Sequence, residues 1–298
     1  MQVGGFEYTK SGVSRFDLRD LYHLAVTLRW PHFFLGLLAV ELVVNTLFAL
    51  LYLVDPNSIA NARPGSFVDN FFFSVETLAT VGYGVMAPAT LYGHVVSAVE
   101  IITGMTFTAI FTGLIFVRFS RPKAKIMFAD CAVVTRYNGR PTLMVRLANG
   151  RLTVLADASI QIGLILFEQS AEGASYRRVH QLKLDRTRLP LFALTWTVMH
   201  PIDEESPLFG YTERRFADTE ARLFLAVEAR DPSMGAQVHA LKDYDASHIL
   251  VGRRYQDAVT RDEKGRPFAD LTRLSDTEPD ESFAAAADAA AAKVAAGD

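Results

Sequence analysis

Two unlike patterns of apolar and polar positions divide the chain. Phe33 to Val54 is a largely apolar stretch whose only charge is Glu41, and Val95 to Val117 is another whose only charge is Glu100. Each run reaches the roughly 20 residues that a helix needs to cross the hydrocarbon core of a bilayer. Two spanning helices are therefore expected, over 33–54 and 92–119. The first run has no small-residue cleavage site and starts well inside the chain, so it reads as a span and not as a signal peptide. Ahead of it Phe16, Leu21, Leu24, Ala25 and Leu28 recur at helical spacing, with Arg19, Asp20 and Thr27 between them. Ser14 and Asp17 add an S-x-x-D capping signal, so an amphipathic helix lying in the membrane interface is expected over 15–30. Between the spans, Pro64 to Thr90 is apolar enough to enter the membrane and too short to cross it and return. A short helix over 67–79 is expected there, stopped by Gly82 and Gly84, and non-helical backbone at membrane depth is tolerated where it lines a water-filled cavity or is buried in protein. That makes the segment a re-entrant pore loop.

From Ile126 the pattern changes to short apolar stretches such as TLMVRL, LFALTWTVM and RLFLAV. Turn signals at Asn138-Gly139, Asn149-Gly150 and Glu172-Gly173 separate them. Short strands in such succession predict an antiparallel β-sandwich. Leu164-Ile165-Leu166-Phe167 reads as core or as a subunit interface. The fold class is thus an α+β membrane protein with two transmembrane helices, a re-entrant pore helix and a C-terminal β domain. The expected organisation is an N-terminal segment over 1–14, the interfacial helix over 15–30 and a pore domain over 31–119. A β domain over 120–277 and a low-complexity Ala-rich tail over 278–298 complete it.

Composition agrees with a chain living partly outside water. Half of the 298 residues are apolar, 21% are charged, phenylalanine alone numbers 21, and the mean hydropathy is +0.16. A net charge of −3 argues against nucleic acid as a partner held by bulk basicity. The single cysteine, Cys131, excludes an intrachain disulfide or a cysteine-ligated metal centre and reads as a small buried hydrophobe. Neither a hydrolase triad nor a phosphate loop is present, and His180, His200 and His239 are scattered, so no enzyme is expected and no cofactor. Orientation follows from basic residues beside the spans. Arg15, Arg19 and Arg29 precede the first, and Arg118, Arg121, Lys123 and Lys125 follow the second, whereas the connecting segment sets Arg63 against Asp55 and Asp69. Both termini should then face the cytoplasm, with Trp30 in the aromatic belt of a cell membrane.

The chemistry concentrates in Thr80-Val81-Gly82-Tyr83-Gly84. Successive backbone carbonyls from Thr80, Val81, Gly82 and Tyr83, joined by the Thr80 hydroxyl, replace the water shell of a permeating potassium ion in such a segment. Glycine permits the backbone angles that aim consecutive carbonyls one way. Four such loops are needed around one axis and the chain holds one, so the expected partner is itself, as a homotetramer. In the second span Glu100, Gly104, Thr108 and Thr112 fall four apart, with Phe116 continuing the series, so they share a slowly drifting helix face able to line a pore. Phe116, in four copies, suits a hydrophobic constriction, with Phe107, Phe111 and Phe119 as competitors for that place.

Taken in order, the interfacial helix, span, F-F-S-V-E-T pore helix, TVGYG, span and basic RPKAK resemble the inward rectifier potassium channels, in particular their prokaryotic branch. Leu143 to Asn149 (LMVRLAN) and Met199 to Leu208 (MHPIDEESPL) resemble the same family's cytoplasmic signatures, and the likeness runs from about Arg15 to Thr277. It implies an immunoglobulin-like cytoplasmic sandwich, a helix-bundle gate at Phe116 and a hinge at Gly104, where close packing is the equal alternative. Glu76 matches a glutamate that supports the filter from behind. The basic partner that many eukaryotic relatives place after GYG is Val85-Met86 here, so Glu76 is paired elsewhere or protonated, and a proton shared with Glu100 is one solution. A second constriction is implied in the cytoplasmic loop around Gly235 and Ala236. Arg29, Trp30, Arg118, Arg121, Lys123 and Lys125 match a collar that binds anionic lipid headgroups. The acidic residue that strong rectifiers use to hold magnesium and polyamines matches Thr108, so block should be weak unless Glu100 or cytoplasmic acids substitute for it. The resemblance also carries the broad label of voltage-gated channel. The rivals are a membrane-anchored sensor with a vestigial pore and a weakly selective cation channel.

Overall fold

A computed structural model describes residues 2–3, 6–7, 20–120, 124–169, 172–261 and 263–283. The chain separates into a helical unit, 12–121, and a β unit made of 122–298 with 1–11. Strands β1 (Gln2–Val3) and β2 (Phe6–Glu7) form a small hairpin.

In the helical unit, α1 (Leu21–Thr27) starts at Asp20, whose carboxylate accepts from the His23 N–H at 2.9 Å. Its helix stops at Leu28, so the interfacial helix ends earlier than the expected 15–30; residues 15–19 and the Ser14–Asp17 signal lie outside the described residues. α2 (Trp30–Tyr52) begins before the apolar run does, because Pro31 fits the first helical turn, where its missing N–H has no partner to lose. β3 (Ile59–Ala60) precedes the re-entrant helix α3 (Phe67–Leu78), and β4 (Ala87–Pro88) follows it and pairs back onto β3. The second span is α4 (Leu91–Phe119). Serine and threonine open these last two helices. Ser66 Oγ accepts from the Asp69 N–H and Thr90 Oγ1 from the Gly93 N–H, each satisfying an otherwise orphaned donor.

α2 and α4 have mean hydropathies of 2.2 and 1.7, yet many of their large apolar side chains stay outward, with Leu35 and Ile102 each 65% exposed. Such a pair is built for lipid and for further protein, not for water. The unit's own small core is Phe48, Tyr52, Ile59, Phe73, Leu78 and Val96. Two glycines let backbones meet there: a Cβ on Gly93 would sit 2.3 Å from the Ser58 carbonyl oxygen, and one on Gly104 would sit 2.0 Å from that of Leu78. Gly104 therefore marks a close contact between α4 and the end of α3, the packing alternative to a hinge.

The β unit holds β5 (Ile126–Phe128), β6 (Ala132–Tyr137), β7 (Arg140–Asn149), β8 (Leu155–Gln169), β9 (Ser175–Gln181), β10 (Arg188–Phe192) and β11 (Thr195–Pro201). After the short α5 (Glu213–Asp218) come β12 (Arg222–Asp231), β13 (Ala236–Asp245), β14 (Ile249–Val251), β15 (Arg253–Tyr255), β16 (Val259–Arg261), β17 (Pro267–Ala269) and β18 (Thr277–Pro279). One sheet runs β10-β8-β12-β13 with β9 on β8, and the other runs β11-β7-β6-β14 with β5 on β7. Their inner faces share one apolar core, including Leu143, Val145, Ile160, Ile162, Leu164, Trp196, Leu223 and Leu225. β12 shows why: its residues alternate, with Leu223, Leu225, Val227 and Ala229 inward. Leu164 and Leu166 belong to this core, whereas Phe167 is 41% exposed.

Three expectations change. The sandwich is not wholly antiparallel, because β14 pairs parallel with β6 after a long return. The tail expected from residue 278 starts too early. β18 pairs with β15, Asp280 is buried, and the Phe283 ring packs on the core beside Gly252. The alanine-rich composition hid these anchors. Cys131 is half-buried and its thiol pKa is pushed up, first by burial and then by the Asp130 carboxylate.

Candidate ion-conduction site

The end of α3 runs straight into the TVGYG segment. The Thr80 N–H donates to the Thr77 carbonyl at 3.0 Å, and the N–H groups of Val81 and Gly82 both donate to the Glu76 carbonyl, at 2.9 and 3.3 Å. Thr80, Gly82 and Gly84 then take left-handed φ values of +56°, +53° and +82°, while Val81 and Tyr83 between them do not. In an ordinary strand successive carbonyls point to opposite sides. Reversing the hand of every second residue turns them toward a common side, which is the array that ion coordination requires. Glycine adopts this conformation freely; Thr80 does so at a steric cost that the sequence did not announce.

A polar residue of the preceding loop ties down the rim of this segment, and a second one holds that loop to α3. Asn61 Nδ2 donates to the Val85 carbonyl at 2.7 Å, and the Arg63 guanidinium makes a bidentate pair with Asp69 at 2.9 and 2.8 Å. Behind the segment lies a 300 Å³ cavity whose lining includes Glu76, Thr77, Thr80 and Met86. Met86 also packs on the small core.

Glu100 is fully buried and does not pair with Glu76. Tyr52 O–H donates to its Oε2 at 2.7 Å, and its Oε1 lies in hydrogen-bond contact with Ser74 Oγ. Ser74 Oγ in turn is 3.0 Å from Asn45 Oδ1, and Asn45 Nδ2 donates to the Glu41 carbonyl at 2.8 Å. Both oxygens of Glu100 are occupied in this way, so the proton shared with Glu76 is not the arrangement found. The residues missed in sequence are Tyr52, Ser74 and Asn45; the available signal was polarity inside apolar helices.

Along α4, Thr108, Thr112 and Phe116 are exposed, Phe116 by 70%. Phe111 stacks on Phe33 and Phe119 packs against Trp30, with ring centroids 6.0 and 5.0 Å apart, so these two competitors face α2. Arg118 is not presented outward. Its guanidinium lies 4.4 Å from the ring centroids of both Trp30 and Phe33, and it donates to the Leu28 carbonyl at 2.7 Å and to the Ala25 carbonyl. That position caps the C-terminus of α1 and removes Arg118 from a free lipid-facing collar, a correction of the sequence reading. Arg29 and Lys125 are exposed, and Arg121 and Lys123 lie outside the described residues.

In the β unit, Gly235 stands in the β12–β13 turn with φ +62°, whereas Ala236 is the first residue of β13 and pairs with Asp231. The tip is Pro232 to Gly235, and its exposed large side chain is Met234. Among the described residues no cluster of His, Cys, Asp or Glu is arranged to hold a metal.

The β unit matches the family model described as the inward rectifier potassium channel C-terminal domain, over residues 126–293. The chain belongs to the inward rectifier potassium channel family. The helical unit of this inward rectifier matches a general ion channel family over residues 37–121. The chain is similar to inward rectifier potassium channel Kirbac3.1 of Paramagnetospirillum magnetotacticum, at 38% identity over 91% of this chain and 92% of that one. It is 24% identical to ATP-sensitive inward rectifier potassium channel 15 of Homo sapiens, over 88% and 76% of the two chains. It is 25% identical to G protein-activated inward rectifier potassium channel 2 of Pongo abelii, over 82% and 63%. As an inward rectifier it is a membrane ion channel and not an enzyme. The voltage-gated label finds no support. A voltage sensor needs a row of arginines in a span. The charged residues of α2 and α4 are Glu41, Glu100 and Arg118.

Proposed function

We propose that four copies of this chain surround one axis and pass potassium ions through the carbonyl array of Thr80 to Tyr83, with the Thr80 hydroxyl completing the lowest site. The observation that carries this reading is the alternating left-handed φ at Thr80, Gly82 and Gly84 directly after a re-entrant helix. Exposure supports the oligomer: in a single chain Val81, Tyr83 and Val85 are 51%, 74% and 67% exposed, and irregular backbone at membrane depth needs protein or a water-filled cavity around it. The C-terminal end of α3 carries partial negative charge beside the start of the filter, which favours a cation there.

Thr108 and Thr112 line the cavity, and the four Phe116 side chains close it by excluding water. Gly104 sets the distance between α4 and the filter support. Gly235 and Ala236, at the β12–β13 turn, form the second, cytoplasmic constriction. Both termini lie in the cytoplasm, where Arg29, Trp30, Arg121, Lys123 and Lys125 meet anionic lipid headgroups. No organic cofactor takes part; potassium is the cargo.

The test is flux of potassium, rubidium and sodium into liposomes holding the purified protein, with barium as blocker. Barium-sensitive potassium and rubidium uptake without sodium uptake is expected. Equal sodium uptake would instead make the protein a weakly selective cation channel, and no flux in neutral or anionic lipid would favour a sensor with a vestigial pore.

A further inference from the structure

The polar chain that crosses the helical unit has a direction, and the direction counts protons. It begins at the Glu41 carbonyl, which accepts only. Asn45 therefore turns its Nδ2–H toward Glu41, at 2.8 Å, and its Oδ1 toward Ser74, whose Oγ is 3.0 Å away. The opposite amide orientation would set two acceptor oxygens against each other. Since Oδ1 cannot donate, the hydroxyl proton of Ser74 belongs to Asn45. A hydroxyl has one proton, so the contact between Ser74 Oγ and Glu100 Oε1 needs its proton from Glu100. The other carboxyl oxygen accepts from Tyr52 at 2.7 Å.

We infer that Glu100 is a neutral carboxylic acid whose Oε1–H donates to Ser74, making it a positioning residue that locks the pore helix α3 between α2 and α4. With that single proton each oxygen–oxygen contact of the chain, Asn45 to Ser74, Ser74 to Glu100 and Glu100 to Tyr52, has one donor and one acceptor. With an ionised Glu100 the Asn45 and Ser74 oxygens face each other without a proton, inside a site where Glu100, Ser74 and Asn45 are all buried. Among the described residues the charge itself would also stand without a cation, because its hydrogen-bond partners there are Tyr52 and Ser74. Ser74 lies in α3, a few residues before the filter, so the chain holds the scaffold from which Thr80 to Gly84 departs. This inference rests on the channel reading only for its consequence in conduction.

Two measurements on the full-length protein in liposomes test it. Infrared difference spectra of wild type against Glu100→Gln are expected to reveal the carbonyl stretch of a protonated carboxylic acid in the wild type, lost in the variant. Glutamine places an N–H where the acid O–H stood and keeps an oxygen for Tyr52, so its rubidium uptake and its rejection of sodium should stay within about twofold of wild type. Ser74→Ala breaks the chain and should lower the rubidium-over-sodium ratio by about tenfold, the equivalent of one hydrogen bond. Absence of the acid band, or loss of selectivity in Glu100→Gln, overturns the proposal. A wild type with the acid band and no flux upholds the protonated chain and overturns the channel reading, so the two failures are distinguishable.

Discussion

At Gly82 the backbone stands at φ +53° with open space where a Cβ would go. Gly82→Ala therefore meets no clash, and its penalty is conformational, roughly 1–2 kcal/mol in each copy. The residue is expected to flip toward right-handed angles, and sodium uptake should rise relative to rubidium in the liposome assay. Gly104 is the opposite case: Gly104→Ala meets the Leu78 carbonyl at 2.0 Å and must push α4 from α3, an overpacking cost of about 1–3 kcal/mol. A lower thermal unfolding midpoint in detergent checks it. Thr108 offers no charge to a blocking cation. Internal magnesium or spermine is expected to block weakly, and Thr108→Asp to strengthen that block, measured as current remaining at positive voltage.

Among the elements, the junction of α1 and α2 depends on α4. Arg118 satisfies carbonyls of Ala25 and Leu28 and lies over the Trp30 and Phe33 rings. Arg118→Ala leaves those carbonyls without their donor and is expected to cost about 1–3 kcal/mol locally. Amide hydrogen exchange of residues 21–29 should quicken in the variant while that of β7 and β8 stays unchanged. A lysine in its place keeps the charge and loses the planar fork, so it should restore only part of the protection. This role was not legible in the run of basic residues, where Arg118 looked like Arg121 and Lys123, because side-chain direction is settled by the rings around it.

For the whole molecule, four chains of 33.0 kDa are expected to travel together in a native mass spectrum from detergent. Acid should weaken the β unit in two windows. His200 is buried, with Nδ1 2.7 Å from the Lys183 carbonyl and Nε2 2.8 Å from Ser206 Oγ, and burial holds its pKa below the ordinary 6.5. The unfolded chain then takes up the proton first, so stability is full above about 6.5 and falls as pH drops through the folded value. Asp280 follows the same sign at lower pH. Burial raises its pKa, yet hydrogen bonds from the Arg136 N–H, Ser282 and Thr135 outweigh it and hold the carboxyl well below 3.8, so its contribution fades as pH falls from about 4. Thermal melts of the full chain against pH, compared with His200→Gln and Asp280→Asn, check both windows; each variant should flatten its own.

Periodicity and composition by themselves determined the two spans, the re-entrant helix, the β-rich C-terminal unit and the TVGYG segment, because a bilayer of fixed thickness and a pleated sheet each impose a simple period on apolar residues. Tertiary structure decided what no period records. It turned Arg118 inward onto two rings, set Gly104 against a carbonyl, and paired β14 parallel with β6 across a long return. It recruited Asp280 and Phe283 from an apparent tail and joined Asn45, Ser74, Tyr52 and Glu100 from three helices into one chain of hydrogen bonds. Each of these depends on residues distant in sequence meeting at hydrogen-bond or van der Waals range, and such a meeting is fixed by how whole elements pack.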